Sequence, residues 1–316
     1  MTRTPDDCGR VRQREPPTGG FEDVAWMEVV SFSALAYGIS WAWWAPLVGP
    51  HLRELSITGP LPNLVEDAGG WRVAIGMFGP LVAALLMRLF VSREGVRRSL
   101  GAKRPTRYYV IALAAPAAFI ACVILVGHIS GLGRFTAGRA ILWMYPAVLI
   151  VNTTIGVVPA IGEEYGWRGY LLPRLLPLGE VRATALLAVI WATWHLPILL
   201  IGLNYPGQSA MTVLPMFMAM VTLTAFPFTW LFVASHHSVL VVAVMHSALN
   251  AVGDTFTSNR YMQGNPLVVG AGGLVSATTL LIAVLVYAAV YARGTHDVLP
   301  RSAQRVASPS GRWRSS

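Results

Sequence analysis

Long apolar runs constrain this chain more than any other feature. Eight of them, 27–48, 71–91, 108–128, 141 onward, 181–201, 211–233, 239–252 and 267–291, recur between short polar connections. A helix crossing the hydrocarbon core of a bilayer takes about 20 apolar residues, which is the scale of these runs. Of the 316 residues, 54% are hydrophobic and 12% charged, whereas soluble domains carry about 25% charged residues. The expected fold is all-α: a polytopic integral membrane protein with about eight transmembrane helices. A polar N-terminal tail (1–26) and a basic C-terminal tail (294–316), both expected to be disordered, flank a membrane domain (27–293). Trp41, Trp43 and Trp44, near the end of the first run, are expected in an interfacial aromatic belt.

The net charge of +9 does not point to nucleic acid, because the basic residues lie in connections and tails rather than on one recognition surface. The densest basic run is Arg93, Arg97, Arg98, Lys103, Arg104 and Arg107, in the connection after the second apolar run. Arg53, Arg72, Arg134, Arg139 and Arg260 are left for the opposite side. By the positive-inside rule both termini are expected in the cytoplasm, and the chain in the plasma membrane as a multi-pass protein. Cys8 and Cys122 offer neither a disulfide framework nor metal-ligand spacing.

Against this background the acidic residues stand out. Between Gly95 and Gly253 they are Glu163, Glu164 and Glu180. An ionisable side chain at membrane depth is a functional hypothesis by default, because holding it there is costly. Glu164 and Arg168 are four apart with the acid first, the favourable order for an ion pair on one helix face. Glu163 points about 100° away and is left without a local partner. Trp191 and His195 share a face of the fifth run, and His246 and Asn250 a face of the seventh. An acid, two histidines and an amide are the equipment for activating water and stabilising an oxyanion. A polar cavity is therefore expected among helices four, five and seven. His128, His236 and His237 read as histidines that bond a neighbouring helix, and Asp254, at the end of helix seven, as a cap or loop acid.

These residues resemble the CAAX-protease and bacteriocin-processing family of intramembrane glutamic proteases, which includes the type II CAAX prenyl endopeptidases. The first motif is Glu163-Glu164-Tyr165-Gly166-Trp167-Arg168; the second is Trp191 to His195; the third is His246 to Asn250. The aromatic of the second motif is often Phe, so Trp191 is a mild departure. The resemblance covers roughly residues 141–253. It implies that Glu163 and His195 activate a water, that His246 and Asn250 donate to the oxyanion, and that Glu164, Arg168 and Trp191 support them. No metal or other cofactor is implied. The implied partners are a peptide or protein substrate, reached from the cytoplasmic side, and the lipid bilayer.

Two alternatives stay open on the sequence. Glu163, His195 and His246 could serve a zinc-dependent membrane protease, although His-Glu-x-x-His is lacking. The same cluster could serve a non-catalytic transporter, immunity factor or scaffold as packing or proton relay. Depth is the geometric difficulty. A Glu163 at the cytoplasmic end of helix four and a His195 about 18 Å along helix five cannot meet. Helix four is therefore expected to continue past Gly169, and helix five to bend near Pro197.

Overall fold

The computed structural model describes residues 21–51, 58–67, 70–95 and 100–292. Arg53, Arg97, Arg98 and nearly all of both expected tails lie outside these residues. The main helices are α1 (Trp26–Val48), α2 (Gly79–Leu86), α3 (Thr106–Ile129), α4 (Ile141–Gly166), α5 (Glu180–Trp194), α6 (Leu196–Leu200), α7 (Ala210–Ala234), α8 (Val239–Phe256) and α9 (Leu274–Ala292).

Among the described residues, six helical stretches are long and apolar enough to cross a membrane. They are Gly70–Val91, Thr106–Ile129, Gly138–Leu178, Ala210–Ala234, Val239–Phe256 and Pro266–Val286. The chain is thus an all-α polytopic membrane protein. The two other expected crossings are helical but differ in kind. α1 has the length, 23 residues, but Trp, Tyr and Ser dilute its apolar character. The fifth stops after 15 residues at Trp194 and resumes as α6.

The tryptophans of α1 divide between surface and core. Trp41 and Trp43 are partly exposed, and their indoles donate to the carbonyls of Trp194 and Arg72. Trp44 is fully buried, contrary to the belt expectation, with its ring centroid 5.0 Å from that of Trp194. Trp167 and Phe32 extend this cluster, which joins α1, the end of α4 and α5. Offset and edge-on aromatic pairs of this kind add about 0.5–1.5 kcal/mol each beyond their buried area.

α4 changes character along its length. Leu142, Trp143, Ile150, Val151, Ile155 and Val158 are exposed, an apolar face suited to lipid. From residue 162 to residue 172 every side chain is buried. Close approach by α2 makes this possible. A Cβ on Gly162 would lie 3.0 Å from the Phe78 ring, and one on Gly166 would lie 2.7 Å from the Pro80 carbonyl. Glycines four apart are the usual means of bringing two membrane helices together.

As expected, helix four does not end at Gly169. Trp167–Leu171 forms a widened π turn in which the N–H of Leu172 reaches back to the carbonyl of Trp167, and helix resumes over Leu172–Leu175. Pro173 has no N–H for the carbonyl four residues earlier, that of Gly169. Arg88 takes its place, donating to Gly169 O at 2.6 Å. Arg174 then bonds Glu28 at 2.5 Å and Glu94 at 2.8 Å, and Arg88 bonds Glu94 at 3.0 Å. The turn beyond the paired glutamates is in this way tied to α1 and to the segment after α2.

A small feature lies at the other end of α4. The strand β1 (Gly133–Phe135), which precedes it, pairs antiparallel with β2 (Met262–Gly264), which follows α8. α8 packs along α4 and α3. It runs to Phe256, one turn beyond the expected end at 252, so Asp254 lies within the helix rather than in a cap or loop.

Candidate active site

Glu163 and Glu164 leave α4 in different directions and find different partners. Glu164 is fully buried. Its Oε1 accepts from Arg168 Nη1 at 3.1 Å, the pair expected from the spacing. The same oxygen lies 2.8 Å from His246 Nδ1, a partner from α8 that spacing does not reveal. Arg168 is also fully buried, its guanidinium 4.2 Å from the centroid of the Trp191 ring and 5.2 Å from that of Phe228. A desolvated cation over aromatic faces gains about 2 kcal/mol, part of what its burial costs.

Glu163 faces α5. Its Oε2 accepts from the Trp191 indole at 2.8 Å and lies 3.9 Å from His195 Nε2. His195 reaches this position because α5 ends. Pro197 has no N–H for the carbonyl of Thr193, so the chain leaves the helix at His195, two residues before the proline at which a bend was expected. α1 takes up carbonyls near the break. Tyr37 Oη donates to Ile190 O at 2.5 Å, and Trp41 Nε1 to Trp194 O at 2.9 Å.

The break also orients the imidazole. His195 Nδ1 lies 2.8 Å from the backbone carbonyl of Trp191. A carbonyl only accepts, so Nδ1 carries the hydrogen and the neutral ring presents a lone pair at Nε2. The 3.9 Å between Nε2 and Glu163 Oε2 is short enough for a single water to hydrogen-bond both.

α8 presents His246, Asn250 and Asp254 at intervals of four. All three line a cavity of about 230 Å³ together with Glu163, Trp191 and His195. They also line a second space of about 430 Å³, bounded by α4, α8 and the short helix Gly70–Gly76, in which Glu163 takes part again. The two spaces therefore meet at Glu163, His246, Asn250 and Asp254.

All seven residues singled out by spacing, Glu163, Glu164, Arg168, Trp191, His195, His246 and Asn250, thus fall in one region. Sequence reasoning passed over Phe228, which covers Arg168, and Arg88, which bonds the π turn. It also set Asp254 aside, although that residue's spacing from Asn250 and His246 was a usable signal. Among the described residues no group of three or more His, Cys, Asp or Glu side chains converges as a metal site.

The chain has no match among curated proteins. Residues 142–252, about a third of the chain, match the family described as Type II CAAX prenyl endopeptidase Rce1-like. Every one of the seven residues lies within this stretch, the part of the chain that is similar to that family.

Proposed function

We propose that this chain is a membrane-embedded, glutamate-dependent endopeptidase. Glu163 is the general base. A water held between its carboxylate and the Nε2 lone pair of His195 attacks the carbonyl carbon of a peptide bond, and its proton passes to Glu163. The carbonyl oxygen becomes an oxyanion, which accepts hydrogen bonds from the Asn250 amide and from His246. The ring of His246 is paired through Nδ1 with the Glu164 carboxylate, which offsets the imidazolium charge that Nε2–H donation requires. Collapse of the tetrahedral intermediate breaks the C–N bond, and the proton on Glu163 passes to the departing amine. A carboxylic acid, an amine and the Glu163 carboxylate result, and the acid's proton then passes to the amine to leave carboxylate and ammonium, so that atoms and charge balance.

The observation that carries this reading is the 3.9 Å approach of His195 Nε2 to Glu163 Oε2 in a cavity also lined by His246 and Asn250. Glu164 and Arg168 serve as supports, since both are fully buried and bonded to each other. Access is from the cytoplasmic side of the plasma membrane, the side that the positive-inside rule gives to the basic connection and both tails. The decisive comparison is of membrane and cellular peptides from cells carrying wild type or Glu163→Gln. The expected result is folded Glu163→Gln protein at normal levels with its products gone. Unchanged peptides would overturn the reading in favour of a transporter, immunity factor or scaffold.

One observation favours a second reading. Both histidines bond an acceptor through Nδ1 and keep Nε2 for another partner, as metal-bound histidines do. Cleavage that survives metal removal by a strong chelator excludes a zinc protease; cleavage that is lost and returns with added zinc establishes one.

A further inference from the structure

Asp254 is a carboxylate lining this region that the proposed reaction does not use. It lies about 6 Å along α8 from Asn250 and about 12 Å from His246, at 1.5 Å per residue. Its carboxylate makes no hydrogen bond or ion pair with the described residues, and His246 lies two turns away on the same helix. It borders both cavities, at the junction that also holds Glu163, His246 and Asn250. A chain running from one space to the other passes it. No Lys or Arg lines either space among the described residues, and Arg168 is sealed behind Trp191 and Phe228.

An accessible carboxylate in a partly apolar cleft, with no cation of the described residues in hydrogen-bond reach, is free to pair with a cation of a ligand. Taking the identity of the ligand from the peptidase reading, we propose that Asp254 is a specificity-determining residue that binds a Lys or Arg side chain of the substrate. An extended peptide advances about 3.3 Å per residue, so 12 Å of helix places that cation within about four residues of the scissile bond. The same carboxylate repels a free C-terminal carboxylate at that distance. The preferred substrate therefore carries a Lys or Arg within about four residues of the cut.

The test uses the full chain in zwitterionic phosphatidylcholine nanodiscs. Peptides differing at single positions by Arg, Gln or Glu, and ending in carboxylate or amide, are titrated against Glu163→Gln protein, which binds without turnover. The same titrations are made with Asp254→Asn, Asp254→Lys and Asp254→Glu added. At one or more positions Arg should bind roughly tenfold or more tighter than Glu, the scale of a partly desolvated ion pair. The ratio should fall toward one in Asp254→Asn, invert in Asp254→Lys and return in Asp254→Glu. Equal binding of Arg and Glu peptides, a ratio unmoved by Asp254→Lys, or no binding by any peptide overturns the proposal. Wild-type protein is assayed for cleavage of the same set. A charge ratio that follows Asp254 without cleavage supports the cation site and rejects the peptidase; cleavage without a charge ratio does the reverse.

Discussion

Glu164 accepts a hydrogen bond from His246 across 82 residues of sequence, at 2.8 Å. The more conspicuous local pair, Glu164 with Arg168, is therefore only half of what this carboxylate does. One oxygen holds a cation of its own helix and the imidazole of another.

This sharing predicts a sharp difference between neighbouring substitutions. Glu164→Gln takes from the fully buried Arg168 its hydrogen-bonded counter-charge, and breaking a buried ion pair by removing one partner costs about 3–5 kcal/mol. Glu163→Gln keeps an oxygen for the Trp191 indole and should cost far less. Thermal unfolding in detergent should show a large loss of stability for the first and a small one for the second.

Trp191→Phe probes the indole alone. The ring over Arg168 remains, but the donor to Glu163 Oε2 is lost. An unsatisfied buried acceptor costs about 1–3 kcal/mol. The proposed general base then loses its orientation, and kcat should fall about tenfold or more while KM changes little. Steady-state kinetics on any cleaved peptide separates the two.

Asn250→Ala removes one of the two proposed oxyanion donors. Such a donor is worth about 3–4 kcal/mol in the transition state, so kcat should fall by about 10²–10³ with substrate binding nearly intact. A loss confined to KM would move Asn250 from the reaction to substrate binding.

Outside the membrane-spanning helices, the turn before α8 supplies a pH dependence. His237 sits at φ 62°, its ring beside Phe232. Burial, followed by the charges of His236 and Arg104, holds it below the usual histidine range. The folded protein therefore keeps His237 neutral where the unfolded chain begins to take up a proton. Its contribution to stability is complete above about pH 6.5 and is lost as pH falls toward the folded value. His237→Asn, which suits a positive φ, should flatten the acid side of a stability profile measured by thermal unfolding between about pH 5 and 8.

Much of this arrangement is legible in the chain itself. Intervals of four bring Glu164 to Arg168, Trp191 to His195 and His246 to Asn250, because each pair shares one helix. The apolar runs give the membrane class for the same local reason. What the sequence does not show is how separate helices meet. The bond from His246 to Glu164, rather than to Glu163, depends on the rotation of α8 against α4. The break at His195 follows from Pro197, but the place where the chain leaves the helix depends on α1 being present to donate to carbonyls near the break. Trp44 looked interfacial because the hydropathy pattern carries no information about which face of α1 meets α5. Asp254 was misplaced by an end set one turn too early, where capping and lining residues look alike.

The short pairing of β1 with β2 has a consequence for motion. It joins the chain just before α4 to the chain just after α8, clasping the two helices that carry the carboxylates and the His246–Asn250 face. Sliding of one helix past the other would tear this clasp as well as the Glu164–His246 bond. α4 and α8 thus form the fixed jaw of the cleft. On the peptidase reading, any widening that admits a substrate backbone is expected of the opposite side, α5 to α7, where the chain is already broken at His195.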